Sequence, residues 1–446
     1  MFGETIAAIA TAPGKGGVAI VRMSGKDALI IAQKIFTPKG KVSVERFEPY
    51  RMYPGTIDAE GFSDYGLCVY FKAPRSYTGE DVVEFQCHGG EHIARGILKK
   101  LFSLGVKSAG KGEFTRRAFL NGKLSLASAE GIADMINGES EAELRAGYFL
   151  YEETLTQKVR EEQAVLKELL ASIGASVDYP EEDLEEETTD EIKRKLLPVT
   201  ARLKGLCGGY QTGKKIKSGV TVALCGKPNT GKSSILNRLL GYEKAIVSEI
   251  AGTTRDAVEG TLEIHGVKFN LYDTAGVRES GDRLESIGID KAEAIIRSAD
   301  VAVFVADSFL GADEEDARVL SLVQGKPLIK VFNKIDLSRD ETPTDADVCT
   351  SAVTGEGIVR LRELLYEKSM GERSESAAFL VEERHYDALK RACTYLEKAT
   401  SACGREPLDL VALDITDGWS ALGEITGETA SEAIIEEIFS KFCVGK

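Results

Sequence analysis

The sequence predicts a multidomain α/β protein: an N-terminal α+β domain, an all-α domain in two separated segments, and a βα-alternating domain inserted between those segments. Three observations carry this expectation. The chain has 446 residues, too many for one core when a domain averages roughly 150 residues. Its hydrophobic period turns helical near residue 119 and becomes strand-rich again near residue 217. At that second change a glycine-rich turn follows an apolar strand.

Each segment has its own signature. Residues 1–118 alternate strand-like runs (IAAIA, GVAIVRM, YGLCVYF, DVVEFQC) with turn clusters and two helical patterns, DALIIAQKIF and GEHIARGILKKLFSLG, the mark of an α+β domain. The opening MFGETIAAIATAPGKGG carries Glu4 and no basic leader, so it reads as a first strand and not as a signal peptide. Residues 119–216 form the first part of the helical domain. There AELRAGYFLYEETLTQKVREEQAVLKELLASIGASV keeps apolar residues at three- and four-residue spacing without proline, before the acidic break DYPEEDLEEETTDE. Residues 217–372 hold the inserted domain, and 373–446 form the second part of the helical domain with the Cys-Val-Gly-Lys tail, helical periodicity returning from about Glu382 to Phe442. Insertion is tolerated because domain termini often lie close together, with Lys217-Ser218-Gly219 and Gly371 as candidate hinges.

Composition narrows the function classes. Hydrophobic residues at 43% and charged residues at 28% fit soluble globular domains, and no apolar run approaches the ~18 residues a membrane span needs. The eight cysteines are scattered with no C-x-x-C pair, which argues against a zinc site or a disulfide framework and suits a reducing cytoplasm. His88 and His92 are separated by Gly89 and Gly90 and read as turn and surface histidines. A net charge of −15 disfavours a strong independent grip on nucleic acid.

The inserted domain carries the clearest chemistry. Gly226-Lys-Pro-Asn-Thr-Gly231-Lys232-Ser233 follows the strand TVALC and precedes the helical run SSILNRLLG. Backbone N–H groups of such a loop face phosphates, Lys232 reaches the β/γ oxygens, and the Ser233 hydroxyl suits Mg²⁺. Asp273-Thr-Ala-Gly276 lies 41 residues after Lys232 and supplies a carboxylate toward Mg²⁺ and a glycine at the γ-phosphate. Asn333-Lys334-Ile-Asp336 follows the strand PLIKVF; the Asp336 carboxylate pairs guanine N1 and N2, so GTP is expected over ATP. Ser351-Ala352 fits a base-supporting loop, and Gly252-Thr-Thr-Arg-Asp256 offers Thr254 to Mg²⁺. Val277 stands where Ras-like switches carry a water-orienting glutamine. Hydrolysis must therefore recruit another group.

These motifs, together with PRSYTGEDVVEFQCHGG, GEFTRRAFLNGKLSL and the terminal FCVGK, resemble the MnmE family of bacterial tRNA-modification GTPases over the whole chain. The resemblance implies an N-terminal folate-binding, aminomethyltransferase-like domain, a helical domain and a Ras-like G domain. It implies a homodimer formed through the N-terminal domains and a heterotetramer with an FAD-dependent MnmG-type partner, FAD and NADH belonging to that partner. Together they add an aminomethyl or carboxymethylaminomethyl group to C5 of the wobble uridine (U34) of tRNA, using a methylene-tetrahydrofolate carbon. The bound folate is expected as a 5,10-methylene- or 5-formyl-tetrahydrofolate. The partner supplies much of the RNA grip that so acidic a chain lacks.

By the same resemblance, GTP is met by Asn229, Thr230, Gly231, Lys232, Ser233, Ser234, Ser248, Thr253, Thr254, Asp273, Gly276, Asn333, Lys334, Asp336, Ser351 and Ala352. K⁺ contacts fall on Asn229, Ser248, Ile250 and Thr253, and Glu285 orients water in place of the missing glutamine. A cation at the β/γ-phosphates acts as an arginine finger does, between two G domains meeting across the nucleotides. Folate contacts map to Arg22, Glu84, Lys123 and Lys446. The family's proline before GEF is replaced by Lys111. The amphipathic run SEAIIEEIFSKF is expected to dock the tail, placing Cys443 beside the transferred carbon as a nucleophile or proton-transfer group. Two rival classes are a GTP-dependent ribosome-assembly switch, which calls for a basic, aromatic RNA-binding surface, and a GTP-driven scaffold, which has no need of Cys443.

Overall fold

The computed structural model describes residues 3–178, 189–241, 260–274, 293–308, 314–337, 345–371 and 382–446. The chain divides into two compact units. One comprises Met1–Ala133, Phe149–Val199 and Arg391–Lys446, the other Asp134–Tyr148 and Thr200–Lys390.

The first unit is organised around a seven-stranded sheet. Its strands are β1 (Ile6–Ile9), β2 (Val18–Ser24), β3 (Phe36–Pro38), β4 (Met52–Asp58), β5 (Ser63–Phe71), β6 (Val82–His88) and β7 (Lys107–Ser108), in the order β3-β4-β5-β6-β2-β1-β7. Alternation sorts the side chains: Ala7, Val21, Met23 and Phe85 share a buried face with residues of α1 (Ala28–Ile35) and α2 (Glu91–Ser103). The register Ala8–Arg22–Glu84 runs along the opposite face. Strand β4 was not evident from its sequence, because Pro54 and Gly55 interrupt it. Gly55 is needed there, since a Cβ would lie 2.4 Å from the Thr37 carbonyl oxygen of the neighbouring strand.

A buried polar cluster joins this sheet to α3 (Glu113–Leu120). Arg117 is 2% exposed. Its Nη1 donates to the Glu4 carbonyl and to Glu80 Oε2, both at 3.0 Å, and its Nη2 donates to Glu113 Oε1 at 2.8 Å. Ser24 Oγ donates to the same Glu80 oxygen at 2.7 Å and meets Thr78 Oγ1 at 2.8 Å. The loop that carries Tyr77 is thereby tied to both β2 and α3.

The long helical pattern beginning at Ala142 is not one helix. It forms α5 (Glu141–Tyr151) and α6 (Thr154–Asp178), after α4 (Leu126–Asn137). Glu153 stands at the break with φ 59°, a conformation uncommon for a side chain of its type. Its Oε1 accepts from the Ser125 amide at 3.1 Å and the Ser128 hydroxyl at 3.4 Å. These distant partners draw the residue out of helical geometry, and periodicity does not report them. Helices α7 (Thr189–Gly208) and α8 (Tyr210–Ser218) follow and lead into the second unit.

That unit contains a six-stranded sheet. Strands β8 (Val220–Cys225), β10 (Val267–Asp273), β11 (Val301–Asp307), β12 (Leu328–Asn333) and β13 (Val348–Thr350) are parallel, and β9 (Gly260–Ile264) lies antiparallel on β10. The order is β13-β12-β11-β8-β10-β9. The strands expected from TVALC, VKFNLY and PLIKVF are all present, with α9 (Lys232–Gly241), α10 (Glu314–Leu322) and α11 (Ile358–Met370) among them in chain order. At the first candidate hinge Lys217 pairs with Asp134 at 2.9 Å and also with Glu382, and Gly219 has φ 77°.

The remaining helices are α12 (Glu383–Ala402), α13 (Leu408–Thr426) and α14 (Glu432–Ser440). In the first unit, Gln163 of α6 donates to the Trp419 carbonyl of α13 at 3.3 Å. The expected amphipathic helix at the tail is α14, whose Ser431 side chain caps the Ile434 amide and whose Ile438 and Phe439 are buried. No helix among the described residues is long and apolar enough to cross a membrane.

Removing Arg117 leaves Glu80 and Glu113 without their buried cation. Arg117→Met should lower the stability of the first unit by about 3–5 kcal/mol, measured by urea unfolding. Arg117→Lys, which keeps the charge but loses the fork, should fall in between.

Candidate functional site

The parallel strands of the second unit end at one edge, where open α/β sheets place their ligands. Strand β8 stops at Cys225 and the chain turns at Gly226, φ 138°. The turn admits no side chain, because a Cβ would lie 2.2 Å from the Val305 carbonyl oxygen. The loop closes at Gly231, φ 93°, where a Cβ would meet Asn333 Nδ2 at 2.2 Å. Asn229 between them is left-handed at φ 63°. Helix α9 then starts at Lys232, so its free amide groups face the loop.

The side chains expected at phosphate meet here. Lys232 is buried and donates to the carbonyls of Gly226 at 2.9 Å and Lys227 at 2.6 Å. The Ser233 hydroxyl donates to Asp273 Oδ2 at 2.6 Å. That pairing brings two hard oxygen donors from different elements together, which suits Mg²⁺. Thr230 is buried with its hydroxyl on the Lys227 carbonyl at 3.0 Å; Ser234 is exposed on the first turn of α9.

The base-recognition residues are tied to the same loop. Asn333 Nδ2 donates to the Thr230 carbonyl at 3.0 Å, while its Oδ1 accepts from Thr350 Oγ1 and from the Ala352 amide, both at 3.2 Å. Asp336 Oδ1 accepts from the Ser351 hydroxyl at 2.6 Å. Lys334, φ 70°, reaches Asp307 Oδ2 at 2.7 Å. Ser248, Ile250, Thr253, Thr254, Gly276, Val277 and Glu285 lie outside the described residues.

A second cluster forms on the open face of the N-terminal sheet. Arg22 Nε donates to Glu84 Oε1 at 2.7 Å, with both side chains largely buried. The guanidinium lies over the Tyr77 ring at 5.4 Å and the Phe114 ring at 5.7 Å. Tyr77 shares a 2.8 Å hydrogen bond with Thr115 Oγ1, and burial raises its phenol above the usual range although Thr115 and Arg22 oppose this. Neither Tyr77 nor Phe114 was singled out from the sequence; an aromatic in the turn PRSYTGED was the available cue.

The tail reaches this cluster. Val444 bridges Lys111, the Gly112 amide donates to the Cys443 carbonyl at 3.3 Å, and the Phe114 amide donates to the Lys446 carbonyl at 3.2 Å. Gly445, φ 100°, passes so near β1 that a Cβ would lie 2.3 Å from the Ile9 carbonyl oxygen. The replacement of proline by Lys111 leaves this docking intact, since Gly112 donates the bond. Cys443 itself is exposed. Burial and the Arg22 charge hold the Lys446 ammonium below the usual lysine range, with Glu84 opposing. The Lys123 Nζ donates to the Pro74 carbonyl at 3.1 Å. His88 pairs with Asp64 Oδ1 at 2.7 Å through Nδ1.

The charges around Lys446 set the sign of a titration. After reductive ¹³C-methylation its resonance should titrate below the midpoint of the exposed lysines. Glu84→Gln should lower that midpoint further and Arg22→Met should raise it.

Comparison with known proteins places the chain in one family. The model of the GTP-binding protein TrmE N-terminus matches residues 5–123, and that of the MnmE helical domain matches residues 126–443. The tRNA modification GTPase MnmE of Acetivibrio thermocellus is 39% identical and that of Clostridioides difficile 37%, each alignment covering 99% of this chain and 99% of the relative. Among solved structures, the G domain of the T. maritima FeoB iron transporter is 29% identical over 33% of this chain and 98% of its own, with a TM-score of 0.26. With two family models spanning most of its length and relatives matching it end to end, the chain belongs to the MnmE family of tRNA modification GTPases.

Proposed function

We propose that the chain hydrolyses GTP to drive modification of tRNA, with an FAD-dependent MnmG-type partner, at C5 of the wobble uridine. The single observation that carries the GTPase half is the meeting of Lys232, Ser233, Asp273, Asn333 and Asp336 at one sheet edge. In this reading the loop amides and Lys232 bind the phosphates, and Asp336 selects guanine. Ser233 and Thr254 would hold Mg²⁺, with the Asp273 carboxylate supporting it from behind the Ser233 hydroxyl. Bound Mg²⁺ supplies charge neutralisation on the phosphate oxygens. Asn229, with Ser248, Ile250 and Thr253, would hold K⁺ where G domains pair, and Glu285 would orient the attacking water.

The modification half rests on the N-terminal cluster. Arg22 bonds Glu84 through Nε, and we read its Nη donors together with the second Glu84 oxygen as one donor–acceptor edge. Such an edge matches the donor and acceptor groups of a pterin, while Lys446 and Lys123 suit the acidic parts of a tetrahydrofolate. The Gly112 amide donates to the Cys443 carbonyl at 3.3 Å, and we assign Cys443 a role in carbon transfer and none in GTP hydrolysis. The homodimer, the cytoplasmic location and the heterotetramer with the partner, which carries FAD and NADH, belong to the same reading.

Nucleoside mass spectrometry of bulk tRNA tests it in strains carrying the wild-type protein, a deletion or Cys443→Ser. Both altered strains should lack the C5-modified wobble uridine, and purified Cys443→Ser protein should keep its GTP turnover. Unchanged nucleosides in the deletion strain would reject the proposal. For the nucleotide site, Asp336→Asn should lower kcat/KM for GTP at least about a hundredfold, because the carboxylate matched to guanine N1 and N2 is replaced by an amide that mispairs with them. Phosphate release under single-turnover conditions reads this directly.

A further inference from the structure

Lys227, the second residue of the phosphate loop, is held at both ends. Its ammonium lies 2.7 Å from Asp316 Oδ2, with the two side chains 14% and 7% exposed. Its carbonyl accepts from the Thr230 hydroxyl at 3.0 Å and from the Lys232 ammonium at 2.6 Å. Asp316 belongs to α10, which follows β11 and lies far from the loop in sequence. It matches no part of the nucleotide motifs.

We propose that Asp316 is a positioning residue for GTP, acting through Lys227. Resting on the GTPase reading of this domain, the inference identifies what sets the loop's shape between its two glycines. With the Lys227 side chain clamped, its carbonyl keeps one direction, and that carbonyl in turn aligns the Thr230 hydroxyl and the Lys232 ammonium. The clamp also keeps a second ammonium away from the phosphates, so that Lys232 alone of the pair addresses them. A pair this well buried contributes little net stability, because desolvation offsets most of the attraction, but breaking it leaves a charge stranded in the loop. The consequence falls chiefly on phosphate recognition, since Asn333, although it also holds the Thr230 carbonyl, keeps its anchors at Thr350 and Ala352, and Asp336 keeps its anchor at Ser351.

Competition binding with a fluorescent guanine nucleotide separates these contributions in the full-length chain. Affinities for GTP, GDP and guanosine would be measured for wild type, Asp316→Asn, Lys227→Met, the double variant and Asp316→Glu. Each single neutralisation should weaken GTP and GDP about tenfold while guanosine stays within about twofold. The double variant should be no weaker than either single, as expected for residues acting through one contact. Asp316→Glu should recover part of the loss. Guanosine weakened as much as GDP would make the effect a general loss of fold and overturn the inference. Unchanged or tighter GDP binding in Asp316→Asn, or losses that add in the double variant, would overturn it as well. A wild-type chain that binds none of the three would remove the GTPase reading itself.

Discussion

A Cβ at position 226 would lie 2.2 Å from the carbonyl oxygen of Val305, and the nucleotide site depends on that closeness. Helix α9 holds the phosphate loop only at its end, where the Ile235 amide donates to the Gly231 carbonyl at 2.9 Å. The loop is shaped by being pressed against β11 at Gly226 and against the Asn333 amide at Gly231. It keeps this shape only while both approaches are kept. Asn333 also donates to the Thr230 carbonyl, which joins the motif expected at the base to the loop expected at the phosphates.

The N-terminal cluster uses a different strategy. Here the scaffold is a row of side chains on one sheet face, with Arg22 and Glu84 in register on adjacent strands, and the walls come from elements far away in sequence. Tyr77 arrives on a loop anchored by Arg117 and Glu80, Phe114 on the helix that carries Arg117, and Lys446 on the tail. The Arg117 cluster thus orders the loop and the helix whose aromatic rings flank Arg22. Gly112, φ 61°, packs so near Phe439 and Phe442 that the tail can lie flat along α3.

Legibility in the sequence followed the range of the interactions. Strands with clean alternation, such as VAIVRMS, were evident, whereas β4 was hidden by Pro54 and Gly55, whose fit depends on β3. The helix break at Glu153 was invisible because its cause, the amide of Ser125 and the hydroxyl of Ser128, lies far from it in the chain. In the nucleotide site the motif residues were readable one by one. Their chemistry is local: a hydroxyl for a hard cation, a carboxylate for guanine, glycines for positive φ. Lys227 and Asp316 were not readable, since an ion pair between distant residues leaves no spacing signal.

The sequence by itself therefore determined the kinds of atoms brought to each ligand and the order in which they occur, because residue chemistry and hydrophobic period are properties of the chain. Tertiary structure alone decided which of those atoms meet. Asp316 on Lys227, the Ser233 hydroxyl on Asp273, the rings of Tyr77 and Phe114 around Arg22, and Lys446 beside Glu84 each join residues distant in the chain. Such contacts exist only once burial and sheet register have paid the entropy of closing the long loops between them.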